Sequence, residues 1–160
     1  MSDSYYNEIA AGYDELHGEE QLKKYRAIKA ALNLRGDEHV LDVGAGTGIG
    51  CAVIPSVGLD PSPALLAFHP NSKSVVGRAE ELPFEDKSFD AVMCVTAIHH
   101  ADAQAAIREM KRVSRGQIAI TVLKKARASQ EILRICAELL PKCVVTEEEK
   151  DWIVVWSGKA

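Results

Sequence analysis

The sequence predicts an α/β fold, with a doubly wound, mostly parallel seven-stranded sheet and an antiparallel C-terminal hairpin. Short apolar segments alternate with helical segments along the chain, which is the pattern of a parallel sheet with crossover helices. Residues 89–95 are apolar on both faces, as a central parallel strand should be. The apolar segments 143–145 and 152–156 flank a polar connection, so they predict a terminal hairpin.

Each element follows from its own pattern of apolar residues and turn residues. The predicted strands are 40–43, 57–60, 74–76, 89–95, 117–123, 143–145 and 152–156. The predicted helices are 4–17, 19–32, about 61–68, 103–113 and 128–140. We expect Gly12 or Gly18 to separate the first two helices. Residues 49–54 can form only one or two helical turns, because Pro55 stops a helix.

Length and composition favour one globular domain. The chain has 160 residues, of which 47% are hydrophobic and 26% charged, with a formal net charge of -4. We divide it into a helical cap segment (1–35), a core (39–123) and a C-terminal helix with hairpin (124–160). The net charge argues against nucleic acid as a partner. No apolar run approaches a membrane span, and we expect a cytoplasmic location with reduced cysteines.

Four glycines follow the first predicted strand, at positions 44, 46, 48 and 50. Glycine has no Cβ and adopts positive φ at little steric cost, so a ligand can lie directly against this loop. A dinucleotide-binding loop needs glycine at position 49, where this chain has Ile49. The spacing therefore favours a nucleotide-type ligand other than NAD, with a plain strand-to-helix turn as the alternative.

Asp60 ends the second predicted strand. The carboxyl ends of neighbouring parallel strands line one crevice, so Asp60 should lie beside the glycine loop. Its carboxylate can accept hydrogen bonds from both hydroxyls of a ribose there. The alternative is that Asp60 is the N-cap of the short helix that follows.

Several segments together resemble the class I methyltransferases that use S-adenosylmethionine. Residues 77–84 and 86–90 resemble the third and fourth motifs of the type-eleven branch, to which the ubiquinone and menaquinone biosynthesis methyltransferases belong, although the interval from Gly44 to Asp60 is shorter than in that family. The matching segments are 5–16, 40–48, 58–62, 77–84, 86–90, 97–100 and 107–113. The resemblance implies a Rossmann-like fold with S-adenosylmethionine as cofactor. It places the methionine part of the cofactor on Gly44, Gly46 and Thr47, and the ribose hydroxyls on Asp60.

The same resemblance implies four further cofactor contacts. Arg78 and Ala79 should flank the adenine, and Val95 should lie near the sulfonium at the end of the fourth strand. Tyr13 should either cover the cofactor or anchor the N-terminal helix.

A pair of histidines follows the fourth predicted strand, beside the expected position of the methyl group. An imidazole suits a general base near neutral pH, and a base is needed only if the acceptor must lose a proton. We expect His100, or otherwise His99, to be that base. The alternative is that the pair shapes the pocket or caps the next turn. We expect His17, His39 and His69 at the surface, and we predict no metal site because no histidine pair has ligand spacing.

The sequence therefore predicts transfer of a methyl group from S-adenosylmethionine by in-line displacement, with positioning and exclusion of water dominant. A small-molecule acceptor is expected, with a macromolecular acceptor as the alternative. A homo-oligomer or a partner chain could complete the site. One rival function is a non-catalytic module that binds the cofactor or a partner, motivated by the short segment 49–54. Another is an RNA or ribosome methyltransferase that uses the basic residues between 108 and 127.

Overall fold

A computed structural model describes residues 3–158, and the side chains of residues 18–158. The strands and helices alternate along the chain as predicted. In chain order they are α1 (Asp3–Leu32), β1 (Val40–Val43), β2 (Val57–Asp60), α2 (Pro63–Leu66), β3 (Val75–Val76), β4 (Ala91–Cys94), α3 (Ala103–Val113), β5 (Gln117–Leu123), α4 (Ser129–Leu139), β6 (Val144–Glu147) and β7 (Asp151–Ser157). Short 3₁₀ turns occupy Ile49–Ala52 and Ile98–His100.

The seven strands form one sheet in the order β3-β2-β1-β4-β5-β7-β6. The first five are parallel, and β7 runs antiparallel to both β5 and β6. The predicted fold class, including the C-terminal hairpin, is therefore confirmed. The chain reverses its direction of winding between β1 and β4. In such sheets ligands bind outside the carboxyl ends of the strands at this switch point.

Helices cover the two faces of the sheet. On one face, α3 and α4 bury an apolar stripe against the strands, including Ile107, Met110 and Ile132. On the other face, α1 buries Tyr25 and Ile28 against a second apolar cluster. The helices thereby leave the carboxyl ends of β1, β2 and β4 as the edge on which a site can form.

Helix α1 differs from the prediction, because Asp3–Leu32 is one continuous helix. Neither Gly12 nor Gly18 interrupts it. A glycine inside a helix costs only about 1 kcal/mol relative to alanine, and a long helix that packs against a sheet can absorb that cost. Gly18 also lies close to Ile49, since an added Cβ would be 3.3 Å from Ile49 Cδ1. The predicted turn residue is therefore a packing residue.

The remaining elements lie within a few residues of their predicted bounds. Ile49–Ala52 forms a single 3₁₀ turn before Pro55, as expected because proline stops a helix. All four cysteines are free thiols, and Cys94 and Cys136 are buried. Within residues 3–158, none of the helices is both long and apolar enough to cross a membrane.

Candidate active site

The glycine loop after β1 is bound to β2 through its backbone. The N–H groups of Gly44 and Ala45 both donate to the carbonyl oxygen of Leu59, at 2.7 and 3.0 Å. Gly44 and Gly46 have positive φ values of 78° and 57°, which residues with a Cβ rarely adopt. A Cβ at Gly46 would meet no atom nearer than Leu65 Cδ1 at 4.0 Å. The space over Gly46 is therefore free for a ligand.

Asp60 joins this loop to the start of α2. Its Oδ2 accepts a hydrogen bond from Gly46 N–H at 2.9 Å, and its Oδ1 accepts one from Ser62 N–H at 2.9 Å. A carboxylate has about four acceptor positions, so each oxygen keeps one for a ligand. The N-cap of α2 is Ser62, whose hydroxyl accepts from Leu65 N–H. The alternative role of Asp60 as helix N-cap is therefore wrong.

Asp42 is a buried carboxylate in β1 that lies beneath this loop. Its Oδ2 accepts a hydrogen bond from the Tyr25 hydroxyl at 2.8 Å. Its Oδ1 is buried and has no hydrogen-bond partner among the residues whose side chains are described. Burial raises the pKa of Asp42 to about 7, although the hydrogen bond from Tyr25 opposes the shift. Asp42 is therefore largely protonated below neutral pH, and its buried side chain lies out of reach of a ligand.

Side chains form a hydrogen-bond network at the carboxyl end of β4. Lys24 of α1 is buried, and its Nζ donates to Thr96 Oγ1 at 2.8 Å and to Asp151 Oδ1 at 3.1 Å. Thr96 follows β4 with a positive φ of 55°, which is strained for a β-branched residue. The Thr96 N–H donates to Thr121 Oγ1 at 2.7 Å, which helps to hold that conformation. These contacts join α1 to the ends of three strands.

The two histidines after β4 differ in their surroundings. His100 is exposed, whereas His99 is half-buried. Their ring centroids are 4.0 Å apart. The Nδ1 atom of His99 is buried and has no hydrogen-bond partner within the described side chains. Burial lowers the pKa of His99, and the nearby His100 and Lys24 lower it further. His99 is therefore neutral, and able to accept a proton, over a wider pH range than an exposed histidine.

The His99 imidazole should titrate below the usual pKa of about 6.5. His100→Gln should raise the pKa of His99, because it removes a neighbouring group that becomes cationic. Proton NMR of the ring resonances as a function of pH measures both effects. His39→Gln serves as a matched control, since His39 lies away from the pair. An unchanged His99 titration in His100→Gln would contradict the pair's coupling.

The other predicted cofactor residues differ in exposure. Thr47 and Val95 are buried. The Arg78 side chain is 76% exposed, and its Nη2 lies 3.8 Å from Glu80 Oε2. Ala79 packs against the apolar cluster beneath α3. Tyr13 lies in α1, outside the residues whose side chains are described.

The structure places residues in or beside the site that sequence reasoning missed. Asp42 has a recognisable signal, since it is a charged residue inside a buried apolar strand, whereas Lys24 has none, because Lys23 and Arg26 beside it are also charged. His69 was expected at the surface, but its side chain is half-buried. Its Nδ1 accepts from Asn71 N–H at 3.0 Å, and its ring packs where Cβ atoms at Gly48 and Gly58 would lie. Burial lowers the pKa of His69.

Comparison with known proteins identifies the family. Residues 41–120, which contain the glycine loop, Asp60 and both site histidines, match a family model described as a methyltransferase domain. The chain belongs to this methyltransferase family. The resemblance seen in the sequence motifs is thereby confirmed. S-adenosylmethionine is the cofactor of the family.

Curated relatives and solved structures agree with this membership. The chain is 33% identical over 147 residues to the demethylmenaquinone methyltransferase of Roseiflexus sp., a match that covers 81% of this chain and 62% of that protein. A SAM-dependent methyltransferase from Aquifex aeolicus has a TM-score of 0.68 and 16% identity, covering 99% of this chain and all of the other.

A third match is a methyltransferase from Haloferax volcanii, in complex with the Trm112 methyltransferase activator. It has a TM-score of 0.69 and 17% identity, and covers 97% of this chain and 98% of that one. At such low identity these two structures show only the fold. The chain matches less than half of the length of two other curated relatives, 45% of one and 35% of the other.

The residues of the site fit S-adenosylmethionine. The backbone of Gly46 leaves open space for the methionine part. Asp60 is held by two N–H groups and keeps acceptor capacity for the ribose hydroxyls.

Proposed function

We propose that this chain transfers a methyl group from S-adenosylmethionine to a small-molecule acceptor. The position of Asp60 supports the proposal most directly. Two backbone N–H groups, from Gly46 and Ser62, orient its carboxylate at the carboxyl end of β2, beside the glycine loop. The proposed cofactor contacts are Tyr13, Gly44, Gly46, Thr47, Asp60, Arg78, Ala79 and Val95.

Asp60→Ala should weaken binding of S-adenosylhomocysteine by at least about tenfold. The change removes the acceptor for the ribose hydroxyls and also frees Gly46 N–H, so both the contact and the loop are lost. Isothermal titration calorimetry measures the affinity, and Asp37→Ala provides an exposed carboxylate as control. Equal affinities for wild type and Asp60→Ala would contradict the assignment of Asp60 as a cofactor contact.

When bound, S-adenosylmethionine supplies a methyl group on a sulfonium, and the electron pair of the broken bond stays on sulfur, so the leaving group needs no proton. The protein's task is then to position the acceptor and exclude water. Thr96 and Ala97 follow β4 and lie against the glycine loop, since Ala97 Cβ is 2.5 Å from the place that a Cβ at Gly44 would take.

If the acceptor is protonated, we assign proton acceptance to His99. His100 was the preferred candidate from the sequence, but it is exposed, whereas His99 is half-buried and has a lowered pKa. Its Nδ1 is closed off from solvent, which leaves Nε2 for the acceptor to reach. A base whose neutral form persists at and below neutral pH suits this step.

A small-molecule acceptor is favoured over RNA because many of the basic residues between 108 and 127 have acidic or aromatic partners. Arg112 pairs with Glu109 and Asp86, and Arg115 pairs with Asp90. Lys124 pairs with Glu147. Such paired charges attract a phosphate backbone less than a free basic surface does. A partner chain that completes the site, and a cytoplasmic location, belong to the same proposal.

A further inference from the structure

A cavity of about 570 Å³ opens beside the carboxyl ends of β4 and β5. Gln21, Lys24 and Thr96 line one end of it. Thr96 directly follows Val95 and comes three residues before His99. The cavity therefore reaches the strand end where the proposed acceptor must present its reactive atom.

The other end of this cavity is basic. Lys124 and Lys125 follow β5 directly and line it, and Lys150 lines it from the connection between β6 and β7. Among the residues whose side chains are described, four lysines including Lys24 line the cavity, against the two carboxylates of Glu20 and Glu149. Asp151 and Glu147, which pair with Lys24 and Lys124, are not among these lining residues. The described lining therefore presents more ammonium than carboxylate groups, which favours an anionic occupant.

Three of these lysines already have acidic partners. Lys24 Nζ lies 3.1 Å from Asp151 Oδ2, Lys124 Nζ lies 2.7 Å from Glu147 Oε2, and Lys150 Nζ lies 2.8 Å from Glu20 Oε1.

Lys125 is different, because it is exposed and has no ion pair or side-chain hydrogen bond with any residue whose side chain is described. It is consequently the cation most available to bind a ligand.

A neighbouring cavity of about 460 Å³ provides a contrast. Lys24 also lines this cavity, but its described lining residues have four carboxylates against three lysines. Glu148 and Asp151 are among those carboxylates, and Thr96 is not among its lining residues. The excess of positive charge therefore belongs to the cavity that reaches Thr96.

We propose that the 570 Å³ cavity holds the methyl acceptor, and that the acceptor is a small organic anion. Its carboxylate or phosphate ester binds at Lys125 and Lys124, and its reactive atom lies at the Thr96 end. This substrate class rests on the proposed function. The two anions share the same chemistry here, because both offer charged oxygens to an ammonium group.

The chain contains a natural reporter for this site. Lys124 Nζ lies 5.0 Å from the centroid of the Trp152 ring. The chain has two tryptophans, so Trp156→Phe leaves Trp152 as the single fluorophore. An anion bound at Lys124 and Lys125 should move the ammonium group relative to the indole and change its emission.

The experiment titrates the Trp156→Phe protein with benzoate, phenyl phosphate, benzamide and benzylamine at constant ionic strength. We expect a saturable change in Trp152 emission with benzoate, with phenyl phosphate or with both, and none with benzamide or benzylamine. A response to one anion alone identifies which of the two groups the site takes. Circular dichroism confirms that Trp156→Phe folds as wild type does.

Adding Lys125→Ala should weaken the anion response by about fivefold, as expected for one charge-assisted contact at a partly exposed site. Lys73→Ala is the matched control, since Lys73 is an exposed lysine in the connection before β3. Equal responses to benzoate and benzamide, no response to either anion, or an unaltered response in Lys125→Ala would overturn the proposal. Calorimetry with S-adenosylhomocysteine, run separately, tests the proposed function without any acceptor.

Discussion

Asp42→Asn is expected to stabilise the protein increasingly as the pH rises, with a gain over wild type that grows by about 3 kcal/mol between pH 5 and pH 8. Asp42 is 1% exposed, and its burial raises its pKa from 3.8 to about 7. The native state therefore binds a proton over a pH range in which the unfolded chain has already lost it.

The sign follows from this proton uptake. A group whose pKa is higher in the folded protein contributes stability at low pH, and that contribution is lost as the pH rises through the folded value. For Asp42 the loss begins near the unfolded pKa and is complete above about pH 7. Asparagine has no such titration, so its curve of unfolding free energy against pH lacks this decline.

Urea unfolding of wild type and Asp42→Asn at a series of pH values measures the difference. Asp37→Asn, on an exposed turn, should follow the wild-type curve. Parallel curves for wild type and Asp42→Asn would show that burial does not raise the pKa of Asp42.

Asp42 also shows how far the sequence predicts this site. The glycine loop and Asp60 were found from local spacing and strand order, because parallel strands bring their carboxyl ends together in any doubly wound sheet. The role of Asp42 depends on the Tyr25 hydroxyl, which lies 17 positions earlier on a helix. A local sequence pattern does not predict a contact between a helix and a strand. A carboxylate in an apolar strand does indicate that some partner must hydrogen-bond to it.

The same distinction explains the errors. The bounds of α3 and β5 were predicted correctly, since their apolar periodicities are strong and their ends are marked by turns. The break in α1 was wrong, because Gly18 packs against Ile49 in another part of the fold. His69 was expected at the surface, and the glycines that make room for its ring precede it by 21 and 11 positions. Tertiary packing therefore decides the environments of both Gly18 and His69.

Lys24→Ala is expected to destabilise the protein by about 3 to 5 kcal/mol, one of the largest losses for a single side chain. Lys24 is 8% exposed and Asp151 is 3% exposed, and their side chains form an ion pair at 3.1 Å. Removing the lysine leaves a buried carboxylate without its cation. It also removes the hydrogen bond to Thr96, whose backbone is strained.

A double-mutant cycle separates the ion pair from the packing of the lysine stem. Lys24→Met keeps most of that stem, and Asp151→Asn keeps the shape of its partner. Each change alone should be costly, because it leaves one buried charge, whereas the double variant should lose much less than the sum. Urea unfolding measures all three, and Lys23→Met, at an exposed neighbouring position, should change stability by less than about 0.5 kcal/mol.

Additive losses in the Lys24 and Asp151 cycle would mean that the buried pair contributes no coupling energy. Strong coupling would instead show that the two side chains stabilise the fold through their direct interaction. Lys24 of α1 holds Thr96 at the end of β4, and both residues line the cavity proposed for the acceptor. Loss of the pair should then loosen α1 from the strand ends, so the double variant can fold and still bind anions poorly. The Trp152 emission measurement on the double variant tests this separation of stability from binding.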